Sequence, residues 1–82
     1  MSVHRAESGV IELSGDCTLE DAEILQQQLL EVPGAAVDWR SCETAHTAVI
    51  QVLLAAQPKL LGPPIGRFLR ESVAVMFVNS TN

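Results

Sequence analysis

The sequence predicts an α/β fold: one small domain with a four-stranded, mostly parallel sheet and helices packed on it. Three observations lead to this prediction. Apolar residues make up 48% of the 82-residue chain, which is more than disordered chains carry. Strand-like and helix-like segments alternate, as they do where helices cover a parallel sheet. The length suits one domain. We therefore expect a single domain over residues 1–82, with loose ends at 1–8 and 79–82.

The first part of the chain predicts a strand followed by a helix. Residues 9–14 alternate apolar and polar side chains, and Gly15 is expected to stop this strand. Thr18 and Asp21 then match a capping box, with Asp in place of the usual Glu. Pro33-Gly34 is expected to end the helix, because proline removes a backbone donor and glycine permits a positive φ. The apolar residues between these signals recur at helical spacing: Ala22, Ile24, Leu25, Leu29, Leu30 and Val32.

The middle of the chain predicts a short strand and a second helix. Residues 35–39 are mostly apolar and form the strand candidate. The helix is expected to begin near Thr47, with Thr44, His46 or Thr47 itself as its N-cap. It should end before Pro58, because the residue preceding a proline is pushed out of the helical region.

The last part of the chain predicts a strand, a short helix and a further strand. Residues 60–61 are expected to form a two-residue strand, followed by a rigid turn. Residues 65–71 predict one or two helical turns, with Phe68 and Leu69 pointing inward. The run Val73–Val78 is rich in β-branched and apolar residues, so we expect a buried final strand there.

Charge and composition exclude several functions. The net charge is −5 at pH 7, which argues against nucleic-acid binding because phosphate recognition needs clustered Lys and Arg. No apolar run approaches the roughly 20 residues that a membrane-spanning helix needs. The two cysteines, Cys17 and Cys42, lack metal-ligand spacing and indicate a reduced, cytoplasmic protein.

The sequence contains no pattern typical of a catalytic or cofactor site. It offers no paired carboxylates, no nucleophilic triad and no phosphate-binding glycine loop. His46 has no acid, Cys or second His at ligand spacing, and we interpret it as a loop histidine. Cys42 lies near it in the chain, but we interpret this residue as a half-buried thiol rather than a nucleophile. We therefore predict no enzymatic activity, no metal and no cofactor.

The second predicted helix carries apolar side chains on every side. Within residues 48–56 only Gln51 is polar. A helix that is apolar all round is usually buried all round, yet a sheet covers only one face of a helix in so small a domain. The remaining face is expected to be covered by the final helix, by a second copy of the chain in a homodimer, or by another protein.

The order of elements, together with residues 38–56, resembles the STAS domain, the fold of bacterial anti-sigma factor antagonists. Asp38 matches the acid that ends a family strand. The pentapeptide at residues 46–50, HTAVI, lies where the family has Asp-Ser-Ser/Thr-Gly-Leu. The following helix, the segment 11–15 and the segment 62–71 are also similar to the family. The likeness covers roughly residues 9–72.

The resemblance implies a non-enzymatic module of signal transduction and transcription regulation that switches between protein partners. In the family, a kinase-like anti-sigma factor phosphorylates the motif serine and binds the unphosphorylated form. By this alignment Thr47 is the candidate phospho-acceptor. Some STAS domains are instead small cytoplasmic subunits of lipid-transport ATP-binding-cassette complexes, so an ATPase subunit is the alternative partner. The implied partner surface comprises His46, Thr47, Ala48, Val49, Ile50, Gln51 and Leu54.

The chain departs from the family motif at three positions. The family Asp is His46, the family Gly is Val49, and the acid usual three residues after Gly15 is Thr18. Two carboxylates that would flank the phospho-acceptor are therefore replaced, which favours partner binding without regulation by phosphate. On the alternative interpretation, the hydroxyl of Thr47 caps the helix that begins there.

Overall fold

The computed structural model describes residues 2–75, which form a four-stranded sheet with helices packed on it. The strands lie in the order β1-β2-β3-β4, with β1 antiparallel to β2 and the remaining pairs parallel. The prediction of a small α/β domain with a four-stranded, mostly parallel sheet is confirmed. In chain order the elements are β1 (Val3–Arg5), β2 (Ile11–Cys17), α1 (Leu19–Glu31), β3 (Val37–Ala45), α2 (Thr47–Ala56), β4 (Leu60–Leu61) and a short π-helix, α3 (Leu69–Val73).

The first strand lies where we expected a loose end, so that prediction was wrong for residues 3–5. Strand β1 pairs with β2 from Val3↔Leu13 to Arg5↔Ile11. The guanidinium of Arg5 also donates to Gln28 at 2.5 Å and to Glu31 at 2.6 Å, which ties the strand to α1. Residues 79–82 of the other expected loose end lie outside the described residues.

Strand β2 does not stop at Gly15, as the sequence led us to expect, but continues to Cys17. Gly15 has a φ of +63°, a left-handed conformation that glycine adopts at little cost. It lies beside a register shift between β2 and β3. The glycine thus bends the strand and lets it continue.

Strand β3 extends beyond the predicted 35–39. The prediction missed its second half because irregularities in the strand hide the alternating pattern. It has nine residues against the seven of β2, and the pairing shifts register twice. Each extra residue reverses the side of the sheet on which the next side chain lies. The buried residues Val37, Trp39 and Cys42 are therefore unevenly spaced and give no strict alternation.

The C-terminal part of the described chain is helical, where we expected a strand. Val73 ends α3 and residues 74–75 continue as helix, so the predicted strand is wrong over residues 73–75. Residues 76–78 of that prediction lie outside the described residues. Leu69 is buried as expected, but Phe68 is 69% exposed, so the prediction that it points inward was also wrong.

One hydrophobic cluster lies between the sheet and the helices. The strands contribute to it from one side only, because the side chains of Glu12, Ser14, Arg40 and Ser41 are exposed between the buried residues. The other side of the sheet is thus polar within the described chain. The buried hydrophobic residues of the cluster are Val3, Ile11, Leu13, Cys17, Ala22, Leu25, Val37, Trp39, Cys42, Val49, Leu53, Leu69 and Val73.

Candidate functional site

The carboxyl ends of β2 and β3 meet the amino ends of α1 and α2 at one edge of the sheet. The carbonyl of Cys17 accepts a hydrogen bond from the backbone N–H of His46 at 2.8 Å, which joins the two strand–helix junctions. At the same edge the Thr44 hydroxyl donates to the Asp16 carboxylate. In open α/β sheets ligands bind at such an edge, so a functional site is expected here.

The start of α2 is capped by His46, which settles the three alternatives that the sequence left open. The backbone of His46 is extended, with φ −60° and ψ 148°. Its Nδ1 accepts a hydrogen bond from the N–H of Ala48 at 3.0 Å. The interpretation of Thr47 as the cap is therefore wrong. The hydroxyl of Thr47 makes no hydrogen bond to any of the described residues, and this side chain is exposed.

The start of α1 carries the predicted capping box. The Thr18 N–H donates to Asp21 Oδ2 at 2.7 Å, and the Thr18 hydroxyl accepts from the N–H of Asp21 at 3.4 Å. Asp21 is only 6% exposed, and its carboxylate also accepts from the Thr18 hydroxyl at 3.1 Å. These two side chains bond to each other. Leu19, the first residue of α1, is 54% exposed.

A shallow groove of about 310 Å³ runs between α1 and α2, and we call it the α1–α2 groove. Most of its lining is apolar, and alanine is its commonest residue. Small side chains let a second chain approach the two helix backbones closely. Its charged member is an acid, Glu23. The lining residues are Leu19, Ala22, Glu23, Gln26, Ala48, Gln51, Val52 and Ala55.

The structure divides the predicted partner surface on α2 into three groups. His46, Thr47 and Gln51 are exposed, and Ala48, Ile50 and Leu54 are half-buried. Val49 is fully buried in the core and cannot contact a partner in this conformation, so it drops out of the surface. Two of the predicted residues, Ala48 and Gln51, line the α1–α2 groove.

Sequence reasoning missed the half of the groove that α1 supplies. Leu19 is the first residue of α1 and lies three residues before Ala22, which also lines the groove. This helical spacing is the signal that could have placed Leu19 on the same face as Ala22. Val52 and Ala55 of α2 were also missing from the predicted surface, although both line the groove.

The two cysteines, which we treated as separate in the sequence, lie side by side. Their sulfur atoms are 3.7 Å apart, and both residues have no exposed area. Cys42 is thus fully buried, and the prediction of a half-buried thiol was wrong. The hydrogen bond with Cys42 and burial both raise the pKa of the Cys17 thiol. Spacing along the chain gives no hint of this contact, because it depends on the shifted register between β2 and β3.

The described residues hold neither a cluster of metal ligands nor a helix that could span a membrane. Residues 2–75 bring no three His, Cys, Asp or Glu side chains together in a way that would hold a metal ion. Within the same span, none of the helices has the length and apolar character needed to cross a bilayer.

Comparison with known proteins gives no relative for this chain. It matches no family model, no curated protein and no solved structure.

Proposed function

We propose that this chain is a non-enzymatic, STAS-like protein-binding module that docks a regulatory partner protein on the α1–α2 groove and the start of α2. The observation that carries the proposal is an open, mainly apolar groove between two helices, with the unbonded hydroxyl of Thr47 next to one of its lining residues, Ala48. The partner by resemblance is a kinase-like anti-sigma regulator in a bacterial cytoplasm.

Physical chemistry supports the groove as the docking surface. Leu19 is 54% exposed and Val52 is half-buried, so a partner that covered them would remove further apolar area from water. The final helix is not the cover that the sequence left open, because α3 packs against β3 and none of the groove-lining residues belongs to α3. The acid Glu23 lines the groove, which favours a partner with a basic residue at that point.

Thr47 is the proposed phospho-acceptor on this surface. It is the first residue of α2, and a phosphate there would be stabilised by the helix dipole rather than melt the helix. The group would add about −1.5 to −2 charges next to the apolar lining residue Ala48. Phosphorylation is therefore expected to weaken the docking of an apolar partner surface while leaving the fold intact.

A binding experiment with a matched control tests the proposal. The chain is mixed with a candidate kinase-like regulator, and the Kd is measured by calorimetry for the wild type, Ala48→Glu and Leu30→Glu. We expect Ala48→Glu to weaken binding at least tenfold, because it places a charge in the groove. Leu30 is 71% exposed and lies outside the groove lining, so its variant should bind like the wild type. Equal affinity of the wild type and Ala48→Glu would exclude the groove.

Further measurements separate the alternative partners and functions. Incubation with ATP and the candidate kinase, followed by mass spectrometry, is expected to place phosphate on Thr47. Binding to the ATPase subunit of a lipid-transport complex, with no binding to the regulator, would favour the alternative function. Sedimentation at two concentrations tests the homodimer, and turnover that disappears in His46→Ala or Cys42→Ala would overturn the non-enzymatic assignment.

A further inference from the structure

The buried cysteine pair is not used by the proposed docking function. Cys17 is the last residue of β2 and Cys42 lies inside β3, where it pairs with Gly15. Both side chains point into the core, and their sulfur atoms are 3.7 Å apart. We propose that Cys17 and Cys42 form a modification site, at which peroxide converts the two thiols into a disulfide within one chain.

The contacts of the two sulfurs leave them free to move together. Besides each other, Cys17 has one long contact to the carbonyl of Ser14 at 3.8 Å, and Cys42 has one to the carbonyl of Thr44 at 3.4 Å. Thiols are weak donors, so little is lost when these contacts break. A disulfide holds its sulfurs about 2.05 Å apart, so the pair must close by roughly 1.6 Å. Gly15 pairs with Cys42 and lies two residues before Cys17, so its left-handed bend is the place where the backbone can adjust.

The reaction needs only a two-electron oxidant, and hydrogen peroxide is small enough to enter a core that opens briefly. One cysteine sulfur attacks a peroxide oxygen, the O–O bond breaks, and the departing hydroxide leaves with the thiol proton as water. This step gives a sulfenic acid. The second sulfur attacks the first, the S–O bond breaks, and the hydroxyl leaves with the second thiol proton as water. Two thiols are oxidised to one disulfide while one peroxide is reduced to two waters.

The burial of the pair sets its reactivity. Thiolate is the reactive form. The hydrogen bond between the two thiols raises the pKa of Cys17 and lowers that of Cys42, while burial opposes ionisation of both. Both residues are fully buried, so peroxide reaches them only when the core around them opens. We therefore expect oxidation to be slow and to speed up in low concentrations of urea, which promote such opening.

The disulfide would change two measurable properties. It would close a loop that contains the whole of α1, and cross-linking a loop of this length restricts the unfolded chain. For a domain of this size we expect Tm to rise by roughly 10 °C. The N–H of His46 donates to the carbonyl of Cys17, so its amide resonance should report oxidation at the start of α2.

Mass spectrometry after trypsin digestion tests the proposal on the wild-type chain. Trypsin cleaves after Arg5, Arg40 and Lys59, which places the two cysteines in the separate peptides 6–40 and 41–59. After peroxide treatment we expect these peptides to run as one cross-linked species that reduction separates, in protein that remains monomeric on a non-reducing gel. The chain should lose the mass of two hydrogens.

Controls make every outcome decisive. The Cys42→Ala variant should form no cross-link and should show no rise in Tm on peroxide treatment. The digest of the wild-type chain detects the cross-link without any variant. The proposal can therefore be tested even if Cys42→Ala folds poorly. Three results would each overturn the proposal: thiols that stay reduced after long incubation in mild urea, a disulfide between two chains, or oxygen addition without a cross-link.

Discussion

At the scale of single residues, the two least exposed carboxylates of the described chain are each held by one neighbour. Asp21 accepts from the backbone and hydroxyl of Thr18. Asp38 accepts from the guanidinium of Arg40 at 3.0 Å and 2.7 Å and from its N–H at 3.0 Å. In both cases the hydrogen bonds compensate a carboxylate that folding partly removes from water. A carboxylate that is partly buried without such bonds would destabilise the fold.

The capping box predicts a loss of stability when Asp21 is truncated. Asp21→Ala leaves the N–H of Thr18 without its acceptor at 2.7 Å and should lower the free energy of unfolding by about 1–2 kcal/mol. Urea unfolding followed by circular dichroism measures the change. Glu20→Ala, an exposed acid in the same turn, is the control and should cost less than about 0.5 kcal/mol. Equal losses would show that helix charge, rather than the box, is what matters.

The pair on β3 predicts a pH effect. The hydrogen bonds from Arg40 lower the pKa of Asp38 below its ordinary value. A carboxyl with a lowered folded pKa contributes stability that is present above its unfolded pKa and is lost as pH falls through the folded pKa. Arg40→Met should therefore raise the pKa of Asp38, as measured by NMR titration of its carboxyl carbon. It should also flatten the acid limb of the stability curve. An unchanged titration would refute the role of Arg40.

At the scale of elements, the start of α2 depends on an unusual cap. Imidazole nitrogen rather than a hydroxyl or carboxylate accepts from the N–H of Ala48. Serine, threonine, aspartate and asparagine are the common residues at this position. The chain thus keeps the bond while placing a ring at the edge of the proposed docking surface.

His46→Ala is predicted to remove this cap and to lower the free energy of unfolding by about 1 kcal/mol. His46→Ser should recover most of the loss, because a serine hydroxyl accepts the same bond. Thr47→Ala should leave stability nearly unchanged, since its hydroxyl is unbonded within the described part of the chain. Chemical denaturation of the three variants side by side checks the ranking. A larger loss for Thr47→Ala than for His46→Ala would contradict the structure.

At the scale of the whole molecule, the C-terminal part is attached to the sheet at a very close approach. The N–H of Gly66 donates to the carbonyl of Cys42 at 3.1 Å. A side-chain carbon at Gly66 would overlap the backbone of Glu43. This contact positions α3, whose residues Leu69 and Val73 are buried in the core.

Gly66→Ala should therefore displace α3 and lower the free energy of unfolding by about 2–3 kcal/mol. Trp39, the single tryptophan and a buried one, gives the fluorescence signal for unfolding. The overlap is with the backbone of Glu43, so adding Glu43→Ala should not restore stability. Recovery in the double variant would mean that a side chain, and not the main chain, opposes the substitution.

The sequence predicts those features of the fold that depend on residues close together in the chain. The capping box at Thr18 and the end of α2 before Pro58 depend on neighbouring residues, and both are as predicted. The segment after Val73 was predicted as strand because a short apolar run fits either structure, and no local signal decides between them. Residues 65–71 were predicted as one or two helical turns, and the ion pair from Arg67 to Glu71 at 2.8 Å joins two residues at helical spacing within them.

The candidate site was predictable only in part, for a related reason. The apolar excess of α2 indicated a surface to be covered, and the structure leaves Ala48 and Val52 partly open to solvent. The contribution of Leu19 depends on how α1 lies against α2, and the cysteine contact depends on strand register. Neither the helix–helix packing nor the strand register can be predicted from the residue spacing within one helix or strand.

The attachment at Gly66 also protects the sheet from other chains. Within residues 2–75, strand β3 pairs with β4 only at Val37 and Asp38, so most of its outer rim has no strand from this part of the chain beside it. The hydrogen bond from Gly66 to Cys42 and the packing of α3 against β3 cover part of that rim. A chain cut before Gly62 would bare a long row of unpaired amides and carbonyls, the template on which fibrils grow. Gly66 and α3 are therefore expected to hinder pairing of this strand edge with another copy of the chain, whatever the domain binds.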